Sequence, residues 1–359
     1  MTSKTVVFEL LPTESGHLIG QITLSAEKSL NALSLEMIRQ IAPQLAAWRD
    51  DARVACVLLR GAGEKAFCAG GDVVAMHAAI RAGDFALTDA FFGEEYALDY
   101  AIHTYPKPIL AWGHGIVMGG GLGLMAGASH RVVTERSRIA MPEITIGLYP
   151  DVGASWFLNR LPGRLGLYLG LTGASFNAAD ALYVDLADFA LPSSARDQVF
   201  AGLGALSWQG WGEADKAVLG NYLRDQMRQH ALELPASPIR SHFDAIRSLM
   251  DYESVDEMVA AICSYNGADD WLRAGAQKLA AGSPTSIRLV LAAQQRARQL
   301  SLAQVFEMEL NLSRQCCRHP DFAEGVRALL VDKDNAPHWS PATLAEVTPD
   351  YIDAFFYAP

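Results

Sequence analysis

The sequence predicts an α/β fold in which two short strands and then a helix recur, followed by a region built of helices. Three observations predict it. Strand-like stretches come in pairs up to about residue 195, with a helical pattern after each pair. Beyond that point β-rich runs fade and capped helical patterns take over. Glycine clusters, "FCAGGD" at 67–72 and "MGGGLG" at 118–123, fall where strand gives way to helix.

In order, "TVVFELL" and "HLIGQITL" read as two strands joined by a Pro/Gly/Ser turn. "SLEMIRQIAPQLAAWRDD" reads as a helix opening at Ser34, with Pro43 expected to kink or split it. "VACVLLRG" is a strand, and helices are expected near 73–82 and 84–104. A short strand, "PILAWGHGIV", precedes the second glycine cluster, and "HRVVTE" and "RIAM" supply two more. "SVDEM" at 254–258 and "SLAQV" at 301–305 have capping-box spacing. At 359 residues the chain exceeds one small core, and we expect residues 1–195 as one domain and 196–359 as a mainly helical C-terminal region.

A net charge of −11 argues against a general nucleic-acid surface, which needs a basic stripe. No run of apolar residues is long enough to suggest a membrane span. The N-terminus shows neither a basic-then-apolar signal nor an Arg-rich transit pattern, so the default expectation is the cytoplasm. Five cysteines without a C-x-x-C pair fit reduced thiols.

Three segments offer chemistry. "FCAGGD" lets backbone N–H groups approach a ligand, or is simply a tight strand-to-helix turn. In "WGHGIVMGGGLGLMAG", Gly120 stands where a helix N-terminus could stabilise an oxyanion. Close packing of backbone is the plainer reading there, and Gly121, Gly123 and Ala126 also fit a weak dinucleotide fingerprint. His114 lies nearby without a nucleophile in an elbow setting. Third, "MPEITIGLYPDVG" carries Glu143 and Asp151 in an otherwise apolar run. An apolar wall raises a carboxyl pKa and tunes it for proton transfer. As a structural alternative, Asp151 would serve as a cap for the helix-like "VGASWFLNRL".

Together with "SLNALSLEM", "FFGEEYALDY" and "LTGASFNAADALYVDLAD", these segments resemble the enoyl-CoA hydratase/isomerase (crotonase) superfamily over almost the whole chain. Within it the chain is most similar to hydrolases of short, branched 3-hydroxyacyl-CoA thioesters. The resemblance implies a crotonase-like spiral of ββα units with an appended C-terminal helical region, residues 1–195 forming the catalytic core. It implies Gly71 and Gly120 as the oxyanion hole and Glu143 and Asp151 as the catalytic carboxylates. It also implies Glu95 in the acyl pocket, and Leu30, Asn31, Ala32, Ala69 and Lys28 as contacts to coenzyme A. Hydratases of this superfamily carry a second catalytic Glu where this chain has Gly123, and a glycine where it has Asp151, which points to hydrolysis. The partner implied is an acyl-CoA substrate, with coenzyme A as part of that substrate and no cofactor or metal. Valine breakdown is the pathway implied. Assemblies of several copies occur in the superfamily, where the added C-terminal helices could cover the shared face. Rival readings are a hydratase or isomerase, a non-catalytic member that binds acyl-CoA or a protein, and a nicotinamide oxidoreductase.

Overall fold

The computed structural model describes residues 4–359. Strands β1 (Val6–Pro12) and β2 (Leu18–Leu24) form an antiparallel hairpin. Seven further strands follow as β3 (Val54–Gly61), β4 (Ala66–Cys68), β5 (Ile109–Gly113), β6 (Ile116–Met118), β7 (His130–Val133), β8 (Arg138–Ala140) and β9 (Phe189–Ala190). They make a six-stranded sheet ordered β1-β2-β3-β5-β7-β9 and a three-stranded sheet ordered β4-β6-β8. The order shows why strands come in pairs along the chain. The first of each pair (β3, β5, β7) adds to the large sheet and the second (β4, β6, β8) to the small one. Each ββα repeat therefore advances both sheets by one strand, which is the expected spiral.

The chain divides into two compact units that do not follow chain order. One contains the chain up to Gly71, Leu98–Ile139 and Phe176–Ser237; the other contains Asp72–Ala97, Ala140–Ser175 and Pro238–Pro359. The first unit holds both sheets apart from Ala140, the last residue of β8. Its core packs Ile19, Leu58, Leu110, Trp112 and Val132 against Val199, Leu203, Leu219 and Leu223 of flanking helices. The second unit is helical. Its Val255–Cys263 and Leu302–Arg318 helices open on Ser254 and Ser301, whose side chains accept from the Glu257 and Gln304 N–H groups.

Two expectations change. The Leu35–Asp50 helix, capped by Ser34, runs unbroken through Pro43. Pro43 lies on the exposed face, so water can replace the backbone bond it cannot donate. "PILAWGHGIV" forms two strands, because Gly115 adopts a positive φ of 58° and turns the chain. No described helix is long and apolar enough to cross a membrane.

The helix against β2 depends on one missing side chain. A Cβ on Gly20 would lie 2.5 Å from the indole of Trp48, which is buried. Gly20→Ala is therefore expected to cost about 1–3 kcal/mol through overpacking, read as a lower urea midpoint with an unchanged m-value.

Candidate active site

In the first unit, the parallel pairing of β4 with β6 brings the two glycine loops together, because both leave the same end of adjacent strands. Gly70 has φ 113°, and a Cβ there would sit 3.3 Å from the Met118 carbonyl and 3.9 Å from the Gly120 nitrogen. The glycines divide their work. Gly119 takes a positive φ of 50° to start the Gly120–Ala126 helix. Gly121 permits close packing, since a Cβ would fall 2.2 Å from the Cys68 carbonyl. The Gly120 N–H belongs to the first turn of that helix, where N–H groups have no intrahelical acceptor.

The Leu30–Ala32 turn is zipped onto the same loop. The Ala69 N–H donates to the Leu30 carbonyl at 3.1 Å, and the Leu33 N–H to the Gly70 carbonyl at 2.8 Å. Leu30 and Asn31 both have positive φ, of 55° and 57°. The Asn31 side chain is committed to holding this turn, donating to the Ala62 and Ala66 carbonyls and accepting from the Ala26 N–H. The fold thus gathers Leu30, Asn31, Ala32, Ala69, Gly71 and Gly120 in one unit, while Lys28 is exposed nearby in sequence. His114 is a structural group: its Nε2 lies 3.0 Å from the Gly63 carbonyl, and burial lowers its pKa.

The second unit holds the acids. Glu143 opens a 3-10 helix (Glu143–Ile146) that the apolar run had concealed; the Thr145 N–H and hydroxyl both donate to the Pro142 carbonyl. Glu143 is 5% exposed, Asp151 4% and Glu95 2%. Among the described residues Glu143 Oε2 has no hydrogen-bond partner. Burial, and then the charge of Asp151, push the Glu143 carboxyl well above the usual range. Burial also lifts Asp151, to about 6, against the pull of a 2.6 Å hydrogen bond that the Tyr96 hydroxyl donates to its Oδ2. Two neighbouring carboxyls that resist simultaneous ionisation can divide the roles of acid and base.

Four residues here escaped the sequence reading. The Tyr96 hydroxyl also meets Ser313 Oγ at 2.6 Å. Ser313 in turn meets the Tyr149 hydroxyl at 3.0 Å, and that hydroxyl donates to the Glu309 main-chain carbonyl at 2.7 Å. The Glu309 side chain accepts from the N–H groups of Gly153 (2.7 Å) and Ser155 (2.9 Å). It therefore fills the capping role that Asp151 could have taken. Between Asp151 and Gly153, Val152 is held at φ 54°, a strained conformation for a β-branched residue. Burial pushes Glu309 up to about 8, with its two N–H bonds pulling the other way. The available signal was a carboxylate and a serine on the apolar face of "VFEMELNLS", spaced with Val305, Phe306 and Leu312.

The model of the enoyl-CoA hydratase/isomerase family matches residues 19–356, and the chain belongs to that family. Among curated relatives it is 41% identical to the mitochondrial 3-hydroxyisobutyryl-CoA hydrolase of Xenopus tropicalis, over 99% of this chain and 91% of that protein. Among solved structures it is similar to a carnitinyl-CoA dehydratase from Mycobacterium thermoresistibile (TM-score 0.86, 36% identity, 99% and 97% of the two chains). It is also similar to an enoyl-CoA hydratase from Rhodobacter sphaeroides 2.4.1 (TM-score 0.83, 31% identity, 99% and 98%). The fold is the crotonase fold. The cytoplasmic expectation is overturned: vertebrate relatives at 37–42% identity all carry "mitochondrial" in their names. A compartment is assigned by receptors that read an address, and composition and folding do not determine it.

The raised carboxyls set a pH dependence. A native pKa above the unfolded one means that the folded state binds more protons between the two values, so stability falls as pH rises through that window. Its contribution is fully present below the unfolded value and lost above the folded one. For Asp151 the window runs from 3.8 to about 6, and for Glu309 from 4.5 to about 8. Urea unfolding should show stability declining from pH 5 to pH 8, and Glu309→Gln should flatten the part above pH 6.

Proposed function

We propose that this protein hydrolyses the thioester of a short, branched 3-hydroxyacyl-CoA, with 3-hydroxyisobutyryl-CoA as the substrate. The observation that carries this reading is the Glu143/Asp151 pair: two buried carboxyls that feel one another, one with an open oxygen. The hydrolase name shared by relatives that span nearly the whole chain supports the substrate.

In this reading the Gly71 and Gly120 N–H groups polarise the thioester carbonyl and hold the tetrahedral oxyanion. Their support is the adjacency of the two glycine loops and the place of the Gly120 N–H at the very start of the Gly120–Ala126 helix, ahead of the first intrahelical acceptor. Such a donor is typically worth about 3–4 kcal/mol of transition-state stabilisation. Glu143 Oε2 attacks the carbonyl carbon or deprotonates the water that does; either route requires its ionised form. Asp151 binds the substrate hydroxyl and delivers a proton to the departing thiolate; on the first route water then hydrolyses the anhydride left on Glu143, and both routes give the free hydroxy acid and coenzyme A thiol. Burial and the Asp151 charge resist ionisation of Glu143, so in this reading Glu143 acts as the base in the state of the pair whose proton sits on Asp151. Glu95 lines the acyl pocket. The Leu30–Ala32 turn, Ala69 and Lys28 receive coenzyme A, and the reaction draws on no metal or redox group.

The names of the two solved relatives favour a second reading, addition or removal of water at an enoyl-CoA double bond. Free-thiol release from a panel of acyl-CoA esters separates the two. Glu143→Gln and Asp151→Asn should each lower kcat for thiol release by about 10²–10⁴-fold without loss of folding. Hydration of crotonyl-CoA without thiol release would overturn the hydrolase reading, and full activity in Asp151→Asn would overturn the role given to that residue.

A further inference from the structure

The hydrogen-bonded chain behind Asp151 can be counted proton by proton. Its oxygens, in order, are Asp151 Oδ2, the Tyr96 hydroxyl, Ser313 Oγ, the Tyr149 hydroxyl and the Glu309 main-chain carbonyl. The four gaps between them measure 2.6, 2.6, 3.0 and 2.7 Å. Three hydroxyls supply three protons, and the carbonyl at the far end can only accept. One gap therefore lacks a proton unless Asp151 supplies the fourth. Tyr149, Glu309 and Ser313 are fully buried and Tyr96 is 2% exposed, so bulk water does not make up the count.

With Asp151 ionised, Tyr96 donates to it, Ser313 donates to Tyr96, and the empty gap is the one between Ser313 and Tyr149, the longest of the four. With Asp151 protonated, every bond runs one way: Asp151 to Tyr96, Tyr96 to Ser313, Ser313 to Tyr149, Tyr149 to the carbonyl. We infer that the Tyr96–Ser313–Tyr149 chain is a hydroxyl wire that retains a proton on Asp151, and that the Ser313 hydroxyl is its switch, turning from Tyr149 to Tyr96 when that proton leaves. Tyr96, Ser313 and Tyr149 are then positioning residues that set the protonation state of Asp151, and they are not catalytic groups themselves. The catalytic consequence rests on the proposed role of Asp151 as proton donor; the wire itself does not.

The surroundings agree with the count. Among the described residues, the titratable groups that feel the Asp151 charge include Glu143 on its 3-10 helix and Tyr96 on the Phe85–His103 helix. Tyr149 on the intervening loop and Glu309, Cys316 and Cys317 on the Leu302–Arg318 helix feel it too. Each is neutral or negative, so none of them favours the ionised form by its charge. The Tyr96 hydrogen bond and the main-chain N–H of Asp151 itself favour the ionised form, and wire completion opposes them.

The wire makes a signed prediction that a packing defect would not reproduce. Ser313→Ala leaves the Tyr96 proton without an acceptor when Asp151 is protonated, so the carboxyl should titrate at lower pH. Tyr149→Phe removes the acceptor for Ser313 in the same state and should act in the same direction. Tyr96→Phe removes the charged-state hydrogen bond, the stronger kind, and should move the titration to higher pH. Each displacement is expected to be about one pH unit, the worth of one such bond. The measurement is a ¹³C NMR titration of the full-length protein carrying carboxyl-labelled aspartate, with Asp151→Asn used to assign the resonance. The pH profile of thiol release should move in parallel. Opposed displacements uphold the wire; midpoints that stay put, or all move the same way, overturn it. If Ser313→Ala fails to fold, Tyr149→Phe set against Tyr96→Phe distinguishes the same two outcomes. Opposed displacements in a protein that releases no thiol from any ester would uphold the wire and overturn the hydrolase reading.

Discussion

A carboxylate removed from water must be solvated by something else, and the second unit of this protein is organised around that demand at Asp151. The residue is buried, Glu143 feels its charge, and its side chain accepts a hydrogen bond from the Tyr96 hydroxyl. Burying an ion costs several kcal/mol even after the protein relaxes. The group responds by holding its proton to unusually high pH, and so becomes useful for proton transfer near neutrality. Glu143, with an open oxygen and the charge of Asp151 acting on it, is likewise pushed toward its protonated form. The pair thus shares protons as a unit, and its titration belongs to both residues.

That arrangement needs a backbone that stays put. Val152 occupies a conformation that costs a β-branched residue about 1–3 kcal/mol, and it lies between Asp151 and Gly153. Glu309 takes the N–H groups of Gly153 and Ser155 on its two oxygens and so binds the far side of the turn. One helix therefore does two things: its Glu309 side chain holds the loop that carries Asp151, and its Ser313 hydroxyl joins the chain behind the same carboxyl. In the first unit the equivalent economy is backbone alone. Adjacent parallel strands set two glycine loops side by side, and each glycine answers a separate requirement of torsion or clearance.

Much of this was legible in the chain. Paired strands, the two glycine clusters and the eight-residue spacing of Glu143 and Asp151 are local patterns, set by turn chemistry and hydrophobic period. The Val73–Ala82 helix falls where it was expected, and the caps at Ser254 and Ser301 form as their spacing predicts. Pro43 misled because its effect depends on which helix face meets water, and that face is chosen by packing. Ser313 and Glu309 were overlooked because a hydroxyl or carboxyl on an apolar helix face gains its meaning from what lies opposite. What lies opposite here is more than 150 residues away in sequence.

The sequence by itself determined the kinds of groups available and their local geometry: glycines at strand ends and two acids in an apolar loop. These follow from backbone torsion and side-chain chemistry within a few residues. Only the tertiary structure decided the company those groups keep. Interleaving distant segments in each unit put Tyr96, Tyr149 and Ser313 in line behind Asp151 and the Leu30–Ala32 turn against Ala69. Desolvation and hydrogen-bond completion are properties of surroundings in space, so the proton affinity of a carboxyl is settled when the chain folds.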